Sequence, residues 1–248
     1  MSLKKTKSEL AKIKKTSIIV AKTLKFLKTK IKPGITTHEL DVQAEQFIRK
    51  SGGIPAFKGY RGYPASICAS LNEEVVHGIP SGRVLRDGDI ISVDVGVELG
   101  GFFGDAAITY PVGKISQEAK KLLDVTREAL YKAINMAKKG NRLGDVSHAV
   151  QSYVEKEGFS VVRDFVGHGI GASLHEEPQI PNFGEPGQGL ILEAGMVLAI
   201  EPMVNAGTSK VVVLDDDWTA ITRDRKLSAH FEHTVCVTYS KAEIFTRV

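Results

Sequence analysis

The 248-residue chain predicts an α+β fold of two similar halves, each lending acidic strand residues to one shared site. Three observations predict it. The first is a pair of acids in Val93-Asp94-Val95-Gly96-Val97-Glu98-Leu99-Gly100-Gly101-Phe102-Phe103-Gly104-Asp105, where apolar residues alternate with polar or small ones around a glycine turn. Such alternation marks a β-hairpin. The second is a set of helical segments closed by glycines. The third is an internal repeat.

The elements follow in order. Leu10, Ile13, Ser17, Val20, Leu24 and Leu27 recur at steps of three and four, one stripe of an amphipathic helix stopped by Pro33-Gly34. Thr36 and Glu39 form a capping-box signature. They open a helix with Leu40, Ala44, Phe47 and Ile48 inward and Gly52 as its stop. Strands and loops fill residues 54–112. Gln117 to Lys139 reads as a helix ending at Gly140. Asp145 caps a further helix carrying Val146, Ala149, Val150, Tyr153 and Val154, ending at Gly158. The remainder is strand-rich, with loops at 167–189 and 205–209.

An offset of 106 residues places Gly34 on Gly140, Leu40 on Val146, Ala44 on Val150, Phe47 on Tyr153, Ile48 on Val154 and Gly52 on Gly158. One residue more places Gly88-Asp89-Ile90-Ile91-Ser92-Val93-Asp94 on Gly195-Met196-Val197-Leu198-Ala199-Ile200-Glu201, so Asp94 lands on Glu201. Chance alignment of two helix-strand halves is the competing account. No Ser/Gly linker separates the halves, about 1–112 and 113–248, so a single merged domain 1–248 with one core is expected.

Composition narrows the function classes. Hydrophobic residues make up 42% and charged residues 25%, an ordinary globular balance, and the net charge is +4. The positive excess is local: eleven lysines between Lys4 and Lys32 face one acid, Glu9. Such a helix is either a solvated face whose lysine stems cover apolar surface or a surface for non-specific phosphate contact. Nothing points to specific nucleic acid. Two cysteines, Cys68 and Cys236, make no disulfide framework and fit a reducing compartment. No run reaches 18 apolar residues and Ile18-Ile19-Val20-Ala21 is too short for a signal peptide, so a cytoplasmic location without a membrane is expected.

The chemistry lies in the acids. A two-residue loop at Leu99-Gly100 sets Asp94 opposite Asp105; a loop at Gly100-Gly101 makes them diagonal neighbours on one face. Either way the Cβ atoms lie roughly 5–8 Å apart, where like charges destabilise a sheet unless a positive charge lies between them. A divalent ion, or two about 3.5–4 Å apart, meets that need; a solvated acidic hairpin is the other reading. Glu201 follows the apolar run Met-Val-Leu-Ala-Ile, and Glu232 lies in Ala229-His230-Phe231-Glu232-His233-Thr234. Carboxylates in buried strands are costly unless paired or coordinated. His168 sits among three glycines in Gly167-His168-Gly169-Ile170-Gly171, His175 follows, and His77 precedes Gly78-Ile79-Pro80. His38 and His148 are assigned to the surface.

Seven motifs in order then resemble type I methionine aminopeptidases of peptidase family M24. They are His77-Gly-Ile-Pro, Asp94-Val-Gly, Gly104-Asp105-Ala-Ala, Gly167-His168-Gly-Ile-Gly, Leu174-His175-Glu-Glu-Pro, Ile200-Glu201-Pro and Phe231-Glu232-His-Thr. The resemblance implies the pita-bread fold, two pseudo-symmetric α/β halves around a central dinuclear site. It implies Asp94, Asp105, His168, Glu201 and Glu232 as metal ligands, with Asp105 and Glu232 bridging. It implies that His175 contacts the scissile peptide and His77 the substrate near the new amine. Glu201 is the candidate proton carrier.

The implied cofactors are two divalent ions drawn from Co, Mn, Fe or Zn. An oxygen-rich set disfavours a structural zinc site and suits Mn²⁺, Fe²⁺ or Co²⁺. A monovalent ion on the Asn72 and Ser228 backbone oxygens is a further option. The implied methionine pocket is lined by Phe57, Tyr60, Tyr63, Cys68, Leu174 and Trp218, with Phe57 larger than the residue common there and Leu174 replacing an aromatic. The implied activity removes N-terminal methionine from nascent proteins whose second residue is small, by a monomeric enzyme that works near the ribosomal exit. Two competitors are an X-Pro peptidase and a metal-free peptide-binding module. The former carries an extra domain and the latter loses ligands, whereas all five positions are present here.

Overall fold

The computed structural model describes residues 3–247. Among the described residues four α-helices lie over strands. Helix α1 (Lys7–Lys28) is opened by Thr6, whose hydroxyl accepts Glu9 N–H while the Glu9 carboxylate accepts Thr6 N–H at 2.7 Å. Helix α2 (Thr37–Lys50) opens on the expected Thr36–Glu39 box. Helix α3 (Gln117–Met136) stops three residues before the expected Lys139, because Ala137 turns with ψ 63° and Lys138 pairs with Thr238. Helix α4 (Leu143–Lys156) starts at Arg142, not Asp145. Asp145 is the third helical residue, and its carboxylate accepts Arg142 N–H and Gly187 N–H, each at 2.7 Å.

The repeat is present in hydrogen bonds as well as in letters. Helices α2 and α4 each have 14 residues, displaced by 106. Gly34 N–H donates to Leu85 O and Gly140 N–H to Leu192 O, both at 2.9 Å. His38 N–H donates to Ser81 O and Gly144 N–H to Gln188 O, again both at 2.9 Å. The turns before the two strands need left-handed backbone, supplied by Gly88 (φ 95°) and Gly195 (φ 94°).

In the first half, β1 (Ile54–Pro55) and β2 (Cys68–Leu71) pair antiparallel with one edge of β3 (Ile90–Leu99), and β4 (Phe102–Pro111) pairs with the other. In the second half the sheet contains β5 (Val166–Gly169), β6 (Glu176–Pro181), β7 (Val197–Ile200), β8 (His233–Cys236) and β9 (Glu243–Ile244), in spatial order β9-β8-β7-β5-β6. Two small three-stranded sheets flank these, Met203–Asn205 between Ser228–His230 and Ser160–Val161, and Ala220–Thr222 between Val211–Val213 and Glu74–Val76.

The buried apolar residues form more than the one expected core. Leu24 and Leu27 of α1 and Leu40, Ala44 and Ile48 of α2 pack on Ile91, Val93, Val95 and Val97. Leu122, Leu130 and Ala133 of α3 and Val146, Val150 and Val154 of α4 pack on Leu198, Ile200 and Val235. Ile108 touches both clusters. Helix α1 crosses β4 so closely that a Cβ on Gly104 would sit 2.7 Å from Ser17 Oγ. That explains the small Ser17 in an otherwise apolar stripe.

The halves join along one edge of β4. Gly96 O accepts Ala56 N–H, so its register partner Asp105 turns its peptide groups outward. Asp105 N–H donates to Thr234 Oγ1 at 3.0 Å and Thr234 Oγ1 donates to Asp105 O at 2.7 Å. Two residues on, Ala107 O accepts Glu232 N–H at 2.8 Å. Two further, the Thr109 hydroxyl accepts His230 N–H at 2.9 Å and donates to His230 O at 2.8 Å. This seam sets Asp105 and Glu232 side by side.

Candidate metal centre

The hairpin turn is Gly100-Gly101, with φ 58° and 78°. Two successive positive φ values make the tight turn that matches strand twist. Asp94 therefore faces Ala107 and is the diagonal neighbour of Asp105, the second of the two registers open to the sequence. The two carboxyls share one face of the hairpin, and the charge of Asp94 adds to the burial that pushes Asp105 upward. Donor atoms of Asp105, His168 and Glu232 all lie within 4.8 Å of one another, and all three residues are buried. Glu201, just past the end of β7, lies 3.7 Å from His168 Nε2 and 3.4 Å from His230 Nε2.

Electrostatics mark the cluster as short of positive charge. Burial, followed by the charge of Glu201, pushes Asp94 up to about 6. Burial pushes Glu201 up to about 8. Burial and then neighbouring carboxylates hold Asp105 and Glu232 well above the usual carboxylate range. Burial, then His175, depresses His168 to about 3, so its ring is neutral. Its Nδ1 lies 2.8 Å from Gly169 O, and a donor is needed there. That fixes the tautomer and leaves the Nε2 lone pair facing the acids. His77 is held near 4 by burial and then by His230 and His175.

A divalent cation fits this donor set. Among the described residues six buried side-chain polar atoms lack a hydrogen-bond partner, and four of them lie here: Asp94 Oδ1, Asp105 Oδ1, Glu232 Oε1 and His230 Nε2. Buried polar atoms are rarely left so, and a cation satisfies several oxygens at once. Four carboxylates and one imidazole form a hard set suited to oxygen-seeking metals.

The cluster forms the floor of a cavity of about 570 Å³. Phe57, Tyr60, Tyr63, Cys68 and Trp218 wall one side, with Tyr63 edge-on to Trp218 at 5.1 Å. His77 stands 6.2 Å from Trp218 between ring centroids, and His175 stands 4.3 Å from His168. His175 Nδ1 meets Tyr60 Oη at 2.8 Å.

A model of metallopeptidase family M24 matches residues 11–239. The chain belongs to this family. It is similar to methionine aminopeptidase 1 of Bacillus subtilis, 58% identical over 248 residues and covering all of both chains. It is also similar to a Clostridium perfringens methionine aminopeptidase, 54% identical over all of both. Among solved structures, a methionine aminopeptidase of Thermotoga maritima superposes with a TM-score of 0.97 at 52% identity, covering 98% of each chain. A prolidase of Pyrococcus furiosus, 23% identical, matches 99% of this chain and 66% of its own length with a TM-score of 0.82, a likeness of fold. The architecture is the pita-bread fold.

In this M24 chain Asp94, Asp105, His168, Glu201 and Glu232 all line the cavity, as do His77 and His175. Five of the six residues expected for the side-chain pocket line it too. Leu174 does not. It is buried behind the wall, in a cluster with Phe57, Tyr63, Cys68 and Ile13. Its neighbour His175 lines the cavity, so consecutive side chains go to opposite sides of the wall. The Asn72 carbonyl accepts Ser228 N–H at 2.8 Å, so the two segments named for a monovalent ion are adjacent. His38 is exposed; His148 is half-buried, its Nδ1 3.2 Å from Gly184 O.

His230 was the residue missed. It is buried against Glu201. A period-two reading of His230, Glu232 and Thr234 places all three on the face toward β4. His233, on the other face, meets Thr246 instead. Glu176 and Glu177, the two acids of the Leu174-His175-Glu-Glu-Pro motif, also line the cavity, as do Arg61 and Gln179, which belong to none of the seven motifs.

Proposed function

We propose that the chain is a metal-dependent methionyl aminopeptidase that releases the N-terminal methionine of newly made polypeptides. The observation that carries this reading is the cluster of buried, partnerless acid oxygens around His168 at the floor of an aromatic-walled cavity. Asp94, Asp105, His168, Glu201 and Glu232 would hold two divalent ions of the Mn²⁺, Fe²⁺, Co²⁺ or Zn²⁺ type. When bound, such ions supply an activated water and a Lewis acid for the scissile carbonyl.

The chain's own groups do the rest. Tyr60, Tyr63, Phe57, Cys68 and Trp218 surround an apolar side chain, and a thioether on aromatic rings gains about 0.3–1.5 kcal/mol. His175 places Nε2 beside the cavity floor while Tyr60 holds Nδ1, and it stabilises negative charge that develops on the carbonyl oxygen. His77, neutral because buried, contacts the substrate near the new amine. Glu201 carries a proton to the leaving amine. A small second residue is the preference that the likeness to methionine aminopeptidases suggests.

The two halves act as one catalytic unit in a cytoplasmic monomer. The exposed Lys7, Lys12, Lys15, Lys22 and Lys25 face of α1 suits attraction to ribosomal phosphates near the exit. Release of free methionine from Met-Ala-Ser tests the function. It is measured after chelation and after return of Mn²⁺, Fe²⁺ or Co²⁺, beside Asp105→Ala. Metal-restored activity absent from the variant supports the reading; no cleavage by folded wild type with any metal overturns it.

A further inference from the structure

His175 stands on a loop between β5 and β6 whose tip is exposed at Ala172 and at His175 itself. Tyr60 fixes the ring, but the backbone beneath it is fixed from elsewhere. Glu176 Oε1 accepts Ser173 N–H at 3.0 Å and closes the turn that carries His175. Glu176 Oε2 accepts Lys5 Nζ at 2.5 Å. The two side chains are only 6% and 11% exposed. The Lys5 stem runs across Gly171, where a Cβ would come within 2.7 Å of Lys5 Cε. Lys5 is anchored in turn: its N–H donates to Gly195 O at 2.9 Å, and Lys4 bridges Met196, the residue before β7, the strand that leads to Glu201.

Among the described residues this pair is more buried than the other lysine and arginine ion pairs. Those of Lys4, Lys14, Lys58 and Arg127 have lysine or arginine partners about half exposed, where such pairs add little. A buried pair pays heavily in lost hydration and is a poor device for stability alone. Its geometric role is specific: one carboxylate links the N-terminal segment to the turn under His175. Glu176 also lines the cavity. Without the Lys5 amine it would be a buried, unpaired carboxylate with open space on one side. Turning into that space would release the Ser173 N–H.

We propose that Lys5 is a positioning residue that holds His175 in place through Glu176 and the Ser173–Glu176 turn. The proposal rests on the role given to His175 above. Displacing a group by an ångström costs about 10²-fold in rate when it acts on the reacting atoms.

The test uses the full chain with Lys5→Met, which keeps the stem and removes the charge, and Lys5→Arg. Both are made alone and with His175→Ala, and assayed on Met-Ala-Ser at saturating Mn²⁺. Lys5→Met is expected to lower kcat at least about tenfold with KM changed less than about threefold, and Lys5→Arg to restore most of it. In the His175→Ala background Lys5→Met should change kcat less than about twofold, because the group it positions is gone. In the metal-free protein the Ser173 amide should exchange at least about tenfold faster in Lys5→Met.

Unchanged kcat, or an equal fall in both backgrounds, overturns the proposal. If Lys5→Met does not fold, Lys5→Met with Glu176→Met removes both charges: a fall in kcat at constant KM supports the proposal, and wild-type kcat overturns it. A folded wild type that releases no methionine defeats the functional reading instead. Ser173 exchange then still decides whether Lys5 holds the turn.

Discussion

Thr234→Val is the sharpest test of how the site is held. Valine keeps the shape of threonine and removes only the hydroxyl. Thr234 is fully buried, and its Oγ1 both accepts Asp105 N–H at 3.0 Å and donates to Asp105 O at 2.7 Å. Because Asp105 turns these groups away from β3, no hairpin bond replaces them. Leaving a buried polar group unsatisfied costs about 1–3 kcal/mol, so two cost about 2–6 kcal/mol. For a chain of this size each kcal/mol moves Tm by about 2–4 °C, so a fall of at least about 4 °C is expected. The assay is thermal unfolding of the metal-free protein, followed by Mn²⁺ titration. Affinity should weaken about tenfold or more as Asp105 loses its backing. A Tm within about 1 °C of wild type, with unchanged Mn²⁺ affinity, would refute the claim that this hydroxyl joins the halves at the site.

Other outcomes follow from the same geometry. Asp105→Asn should abolish metal-restored methionine release while preserving far-UV circular dichroism. Glu201, raised to about 8, and Asp94, raised to about 6, keep protons in the folded metal-free protein that the unfolded chain releases near 4. The folded state then binds more protons than the unfolded one, so these groups lower metal-free stability as pH rises from about 4 to about 8. Glu201→Gln should flatten that slope in urea titrations across pH 5–8. The Tm gain on adding Mn²⁺ should grow over the same window as metal displaces protons. His230→Ala removes the imidazole beside Glu201 and should weaken metal affinity about 10–100-fold by calorimetry. Gly96→Ala puts a methyl in overlap with Phe57 Cε1, so the Phe57 ring, which lines the cavity, must shift and KM for Met-Ala-Ser should rise.

Much of this was legible in residues whose local chemistry admits one solution. The Thr36–Glu39 box and the glycines at 34, 52, 140 and 158 fix helix ends by hydrogen bonding and left-handed backbone, and they reveal the repeat without tertiary contacts. The buried acids announced the site because burying them unpaired is costly. Where two local solutions were nearly equal, the sequence left the choice open. Leu99-Gly100-Gly101 allowed two turns, and strand twist selected the one with both glycines at its centre. Asp145 has a side chain suited to a cap, yet tertiary bonds to Gly187 and the Leu143–Leu190 pairing start the helix three residues earlier. Leu174 follows the motif's spacing but turns into the cluster behind the pocket. Lys5 and Glu176 are 171 residues apart, and no periodicity relates them.

The seam along β4 has a mechanical consequence. Asp105 and Glu232 belong to different halves, yet their main chains are tied through Thr234 and Ala107 by bonds of 2.7–3.0 Å. A cation cannot draw these two carboxylates together by sliding one half over the other without breaking that lattice. The spacing of the two main chains is set by the fold, and an ion bound between these carboxylates would have to conform to it. Such a frame would sort ions by radius: a large, weakly directional cation would gain little from main chains that will not spread, whereas a small one that spans the set gap would keep its attraction.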